Sequence, residues 1–189
     1  MSRFQQCLEA CSFLSSRLVA HHIPHAFSGG FLTVALGSPR ESEEIFCVAP
    51  GFKSVRHACA NSDILSIQLA PWSSRMYIIY NETIPPVQIE IVPAGEEGPR
   101  RLDATTIMGI TYGNHHLPFL SVTEFIRTKL KVWISRRDSC DAHDMLFILT
   151  GYWESIDINR IPEQDMDVYV KQNPEAKSAW KAIKRRYGV

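Results

Sequence analysis

The chain has 189 residues, 45% of them apolar and 21% charged, and its 20 basic side chains balance 20 acidic ones. That length suits one domain, or one domain with a helical appendage, and the apolar content is enough for a real core. The even charge balance leaves no basic footprint for nucleic acid and no acidic tail, and no apolar run approaches the roughly 18 residues of a membrane span.

Phe4, Cys7, Leu8, Cys11, Leu14, Leu18 and Val19 recur at helical spacing, which predicts a first helix from Ser2 to Ala20. Pro24 ends it. His25-Ala26-Phe27 reads as a short strand running into Ser28-Gly29-Gly30, and Phe31 to Leu36 as a short apolar helix closed by Gly37. Glu44 to Ala49 reads as a buried strand, Pro50-Gly51 as a turn and Phe52 to Ala60 as an amphipathic helix. Strand-like runs follow at Ile64–Leu69, Met76–Tyr80 and Val87–Val92, punctuated by Pro71, Pro85, Pro86 and Pro93. Ala94 to Arg101 is a loop rich in Gly, Pro and charge, and Thr105 to Ile110 one more strand.

Leu117 to Leu120 is a short apolar stretch. Ser121 with Glu124 three residues on has the capping-box pattern, which predicts a helix from Val122 to Arg136. Asp141 to Leu149 is a further apolar helix, and the tail from Trp153 to Tyr187 is helical with breaks at Pro162 and Pro174. The order of elements implies an α/β or α+β fold, a sheet with helices packed on it. Residues 1–150 are expected to form the main domain and residues 151–189 a C-terminal helical extension packed on it.

Five cysteines, Cys7, Cys11, Cys47, Cys59 and Cys140, form no Cys-x-x-Cys pair, so free buried thiols are expected. Lys177, Lys181, Lys184, Arg185 and Arg186 read as the solvated face of a last helix, favoured by its dipole. His21, His22 and His25 flank Pro24 without a carboxylate or cysteine to complete a metal site. Trp133 and Trp153 read as packing residues.

The stretch Phe27-Ser28-Gly29-Gly30-Phe31 through Leu36-Gly37-Ser38-Pro39-Arg40-Glu41-Ser42-Glu43-Glu44-Ile45-Phe46-Cys47-Val48 resembles the signature of the nucleotidyltransferase superfamily. In that family a Gly-Gly or Gly-Ser turn precedes a short helix, two aspartates follow on one strand, and a third carboxylate comes from a later strand. Gln88-Ile89-Glu90-Ile91 resembles that later strand, with Glu90 at the third-carboxylate position. Leu117 to Ser121 with Lys129, Arg136 and Asp144 is similar to the family's helical region. The resemblance implies a nucleotidyltransferase-like mixed sheet flanked by helices.

The family's chemistry explains the pattern it needs. Residues i and i+2 on a strand face one way, so two carboxylates there can share a pair of magnesium ions about 4 Å apart. In this sequence Glu44 stands at the first position and Phe46 at the second, and a phenyl ring cannot ligate magnesium. The glycine turn reads either as a tight connection or as a ligand contact. Glu44 and Glu90 read either as hydrogen-bonded remnants or, if buried together, as an acid and base of split pKa. Phe46 is core or pocket wall, Arg40 a surface ion pair or anion contact. His115-His116, beside Tyr112-Gly113-Asn114, form a polar loop that is solvated unless it reaches the crevice.

The expectation is a repurposed nucleotidyltransferase-fold protein that binds a small, largely apolar organic molecule without metal or other cofactor. A metal-independent cyclase, isomerase or pericyclase is favoured over a nucleotidyltransferase, because orientation alone lowers such barriers by several kcal/mol. Similar chains are, by resemblance, of fungal type, where secondary metabolism offers such substrates. Glu44, Glu90 and Arg40 are the catalytic candidates, and Ser28, Gly29, Gly30, Ser42, Phe46 and His116 the ligand contacts. No nucleic acid or membrane partner is expected, and oligomeric state is open. The N-terminus lacks a signal peptide's charged start and apolar block, so a cytoplasmic location is expected. One alternative is a residual magnesium-dependent nucleotidyltransferase acting on a small acceptor; another is a non-catalytic interaction protein.

Overall fold

The computed structural model describes residues 1–96 and 98–189; Glu97, within the expected 94–101 loop, lies outside the described residues. The chain divides into two compact units, Met1–Leu120 and Ser121–Val189.

The first unit holds helices α1 (Arg3–Ala20), α2 (Gly30–Ala35) and α3 (Phe52–Cys59) and strands β1 (Ala26–Ser28), β2 (Phe46–Ala49), β3 (Leu65–Leu69), β4 (Met76–Tyr80), β5 (Val87–Pro93), β6 (Ile107–Tyr112) and β7 (His115–Leu120). The strands form one mixed sheet in the order β3-β4-β5-β2-β1-β7-β6. β2 with β5 and β1 with β7 are parallel, and the other neighbours are antiparallel. The α/β class expected from sequence, a mixed sheet with helices, is therefore present.

Ser2 caps α1: its hydroxyl accepts from Gln5 N–H while the Gln5 amide oxygen accepts from Ser2 N–H, satisfying two of the helix's orphan donors. The buried side of α1 carries Cys7, Leu8, Cys11, Leu14 and Leu18. Burying one such leucine stabilises by roughly 2 kcal/mol. The sheet contributes Phe27, Cys47, Met76, Ile78, Ile89, Ile91 and Phe119 to the core, and α2 adds Phe31 and Leu32. Phe31, Phe119 and Phe27 meet in sequence as tilted rings, with centroids 5.9 and 6.1 Å apart. Cys7, Cys11, Cys47 and Cys59 are free thiols buried in this unit, as expected, whereas Cys140, in the other, is free but exposed.

Two local expectations change. His115 and His116 belong to β7 and not to a loop, because alternation in His115–Leu120 buries Leu117 and Phe119. The strand expected at 105–110 begins at Ile107, because Thr105 and Thr106 turn around Asp103, whose carboxylate accepts from the Thr105 N–H at 2.8 Å.

The second unit holds α4 (Val122–Arg136), α5 (Ser139–Tyr152), α6 (Glu163–Gln172) and α7 (Lys177–Tyr187), with single 3-10 turns at Trp153–Ser155, Ile158–Arg160 and Pro174–Ala176. Ser121 caps α4 by accepting from Glu124 N–H. The box is only half formed, since the fully buried Glu124 carboxylate pairs instead with Arg127 and Arg160. Lys129 is also buried and reaches Asp141 at 2.6 Å and Asp144 at 3.5 Å. The Tyr169 hydroxyl donates to the Ala142 carbonyl at 2.7 Å, and its ring meets Trp133 edge-on.

Candidate functional site

β1 ends at Ser28, and the chain turns into α2 through Gly29 at φ +86°, a conformation that side chains with a Cβ resist. A Cβ on Gly29 would stand 2.4 Å from the Glu44 carbonyl oxygen. The close approach comes from the segment before β2, which is strapped across the turn. Phe31 N–H donates to the Glu44 carbonyl at 3.1 Å, and Gly30 N–H donates to the Glu44 carboxylate, also at 3.1 Å. Gly30 is equally crowded: its Cβ would meet Ser42 Oγ at 2.1 Å and Arg40 Nη2 at 2.7 Å. Ser42 Oγ in turn accepts from Glu44 N–H at 3.3 Å.

Strand register sets the rest. Ser28 lies opposite Phe46, Phe46 opposite Glu90, Glu90 opposite Tyr77 and Tyr77 opposite Gln68. Residues directly opposite share a face, so these five side chains form one row across the sheet. Cys47, Ile91 and Met76 belong to the next row and face the core. Along the row Ser28 is buried, Phe46, Glu90 and Tyr77 are half-buried and Gln68 is exposed. Glu90 pairs with Arg75 at 3.5 Å; half of the arginine side chain is exposed, so the pair contributes at most about 1 kcal/mol.

Ser28, Gly29, Gly30, Arg40, Ser42, Glu44 and Phe46 are thus brought together where β1 ends and β2 begins, with Glu90 beside them from the middle of β5. His116 is not. Phe27 lies opposite Phe119, which leaves His116 about 10 Å back along β7. There His116 Nδ1 sits 2.9 Å from Thr111 Oγ1, and its ring lies across Gly109. The premise of two carboxylates buried together also fails: Glu44 is exposed and precedes β2, because its backbone is held over the glycine turn. Arg75 and Tyr77 were missed. The alternation of Met76–Tyr80 puts Tyr77 on the face opposite Met76, but only the pairing of β4 with β5 brings it to Glu90.

The superfamily's chemistry calls for clustered carboxylates around two magnesium ions. Here the Glu44 carboxylate is engaged by Gly30 N–H, Phe46 offers no donor and Glu90 faces a guanidinium. Among the described residues no group of three or more His, Cys, Asp or Glu converges in a way that could hold an ion.

Near the turn, His25 is buried, with Nδ1 3.0 Å from the Ile23 carbonyl and Nε2 2.8 Å from Ser15 Oγ. Burial lowers its pKa below the usual 6.5.

No protein-family model matches the chain, and no curated protein matches it by sequence. Solved structures do. An antigenic nucleotidyltransferase-like protein from Paracoccidioides brasiliensis is 17% identical over 94% of this chain and 93% of its own, with a TM-score of 0.71. A putative nucleotidyltransferase from H. pylori is 14% identical over 97% of this chain and 84% of its own, with a TM-score of 0.58. The antibiotic-resistance factor ANT(2″)-Ia is 11% identical over 100% of this chain and 99% of its own, also with a TM-score of 0.58. At such identities the likeness speaks to architecture: the fold is nucleotidyltransferase-like. No helix among the described residues is long and apolar enough to cross a membrane.

Proposed function

We propose that this nucleotidyltransferase-like fold binds a small, largely apolar organic molecule along the Tyr77–Glu90–Phe46–Ser28 row without a metal ion. The observation that carries this reading is the register of Phe46, an aromatic ring between Ser28 and Glu90 where the superfamily's pattern asks for a carboxylate. Phe46 and Tyr77 supply apolar surface, while Glu90, Ser28, Arg40 and Arg75 supply polar contacts of both signs around it. A ligand with an aromatic or alicyclic body and one polar group suits such a lining better than a triphosphate. Chemistry on that molecule is of the orienting kind, cyclisation or isomerisation, with Glu44 or Glu90 as the proton-carrying groups.

The test uses 1-anilinonaphthalene-8-sulfonate as the probe, an apolar ring system with one anionic group. Its fluorescence enhancement with the full chain is expected to be unchanged by EDTA. It should fall several-fold in Phe46→Asp at unchanged circular dichroism. In parallel, calorimetry with ATP should show no magnesium-dependent heat. Magnesium-dependent nucleotide binding by the natural sequence overturns the proposal, as does a Phe46→Asp protein that binds the probe normally.

A further inference from the structure

β3 stands at one end of the sheet order, with β4 on one side and, among the described residues, no strand on the other. Ala70 N–H donates to the Arg75 carbonyl and Asn81 N–H to the Ile64 carbonyl, so residues 64, 66, 68 and 70 direct their backbone groups at β4. By the same alternation the N–H and C=O groups of Leu65, Ile67 and Leu69 point away from β4, where Leu65 N–H donates to Ser62 Oγ at 3.2 Å. Exposed edges of this kind are usually blunted by charge, proline or a bulge. Here no charged residue occurs from Ile64 through Ser74, and Pro71 falls outside the strand. Leu69 is 55% exposed and Trp72, in the turn after the strand, is 99% exposed.

We propose that the β3 edge pairs with the β3 edge of a second copy of this chain, as antiparallel strands about a two-fold axis at Ile67. The sequence Leu65-Ser66-Ile67-Gln68-Leu69 reads the same in character from either end, and that symmetry selects a second copy over a different partner. Pairing about Ile67 sets Leu65 against the partner's Leu69, Ser66 against the partner's Gln68 and Ile67 against the partner's Ile67. No charge meets a like charge: Ile67 N–H and C=O pair with the partner's Ile67, and Leu69 N–H donates to the partner's Leu65 carbonyl, a reciprocal set of bonds as an isologous interface requires, while Leu65 N–H stays with Ser62 Oγ. In this register the Trp72 turn comes beside the partner's segment leading into β3. Two tryptophans at roughly 200 Å² each, with the leucines, bring the buried area only to the low end for specific association. The dimer is therefore concentration-dependent, in the micromolar range of about 1 to 100 μM.

Light scattering after size exclusion on the full chain tests this. At about 100 μM the mass is expected to approach twice the 21.5 kDa of one chain, falling on dilution. Ile67→Lys and, separately, Ile67→Glu place like charges on the axis and should each weaken association at least about tenfold. An equal mixture of the two should restore it, since residue 67 meets its own counterpart. Ile110→Lys, on the other edge strand β6, should leave the mass unchanged. Leu69→Lys, at an exposed position, serves as a second disrupting variant and decides the matter if the Ile67 variants do not fold. A natural chain that stays monomeric at about 100 μM overturns the proposal. So does a dimer that folded Ile67→Lys or Leu69→Lys leaves intact, or one that only Ile110→Lys dissolves.

Discussion

Gly29 combines a left-handed φ of +86° with a backbone oxygen 2.4 Å from where a Cβ would stand. The first feature alone disfavours any other residue by about 1–2 kcal/mol, and the second forces the Glu44 segment off the turn. Gly29→Ala should therefore lower stability by roughly 2–4 kcal/mol in urea unfolding, and reduce probe binding at Phe46 in the fraction that folds. His25 gives a pH prediction of defined sign. Its folded pKa lies below 6.5, so the unfolded chain binds more protons as pH falls past that value, and the neutral ring's contribution is lost there. The midpoint of thermal unfolding should drop on going from about pH 7 to about pH 5, and His25→Asn should flatten that drop. Equal pH dependence in the two proteins would remove His25 as the cause.

At the scale of elements, Lys129 on α4 holds Asp141 and Asp144 on α5, with Asp144 only 1% exposed. Lys129→Met would leave two carboxylates facing each other beside the core, at a cost of about 3–5 kcal/mol. Adding Asp144→Asn removes one stranded charge and should recover part of that loss, as guanidinium unfolding can measure. Helix α4 was legible to the residue, because its cap, its apolar spacing and its end all lie within one local stretch. The strands Met76–Tyr80 and Leu65–Leu69 were legible for the same reason, to within one residue. What local pattern does not carry is register. Glu44, Phe46 and Glu90 were named as one site because a family resemblance supplied the pairing. Arg75 and Tyr77, for which it supplied none, were not. His116 was misassigned because adjacent polar residues suggest a loop, whereas the parallel pairing of β7 with β1 puts it well away from the glycine turn.

Over the whole chain, the polar and apolar inventories are distributed unevenly between the two units. Glu124, Lys129 and Asp144 are buried ionisable groups of Ser121–Val189, and each has an opposite charge within reach. The four buried thiols all lie in Met1–Leu120. Burial raises Cys7 and Cys59 to about 11 and pushes Cys11 and Cys47 up as well, so the reactive thiolate is scarce at neutral pH even before access is considered. Cys140 stands in solvent. Alkylation of the native chain at about pH 8 should accordingly modify one thiol quickly and four slowly. The slow stoichiometry then becomes a clock for the opening of Met1–Leu120, read by mass spectrometry. One fast label and four late ones turn the packing around α1 into a built-in reporter that needs no added dye.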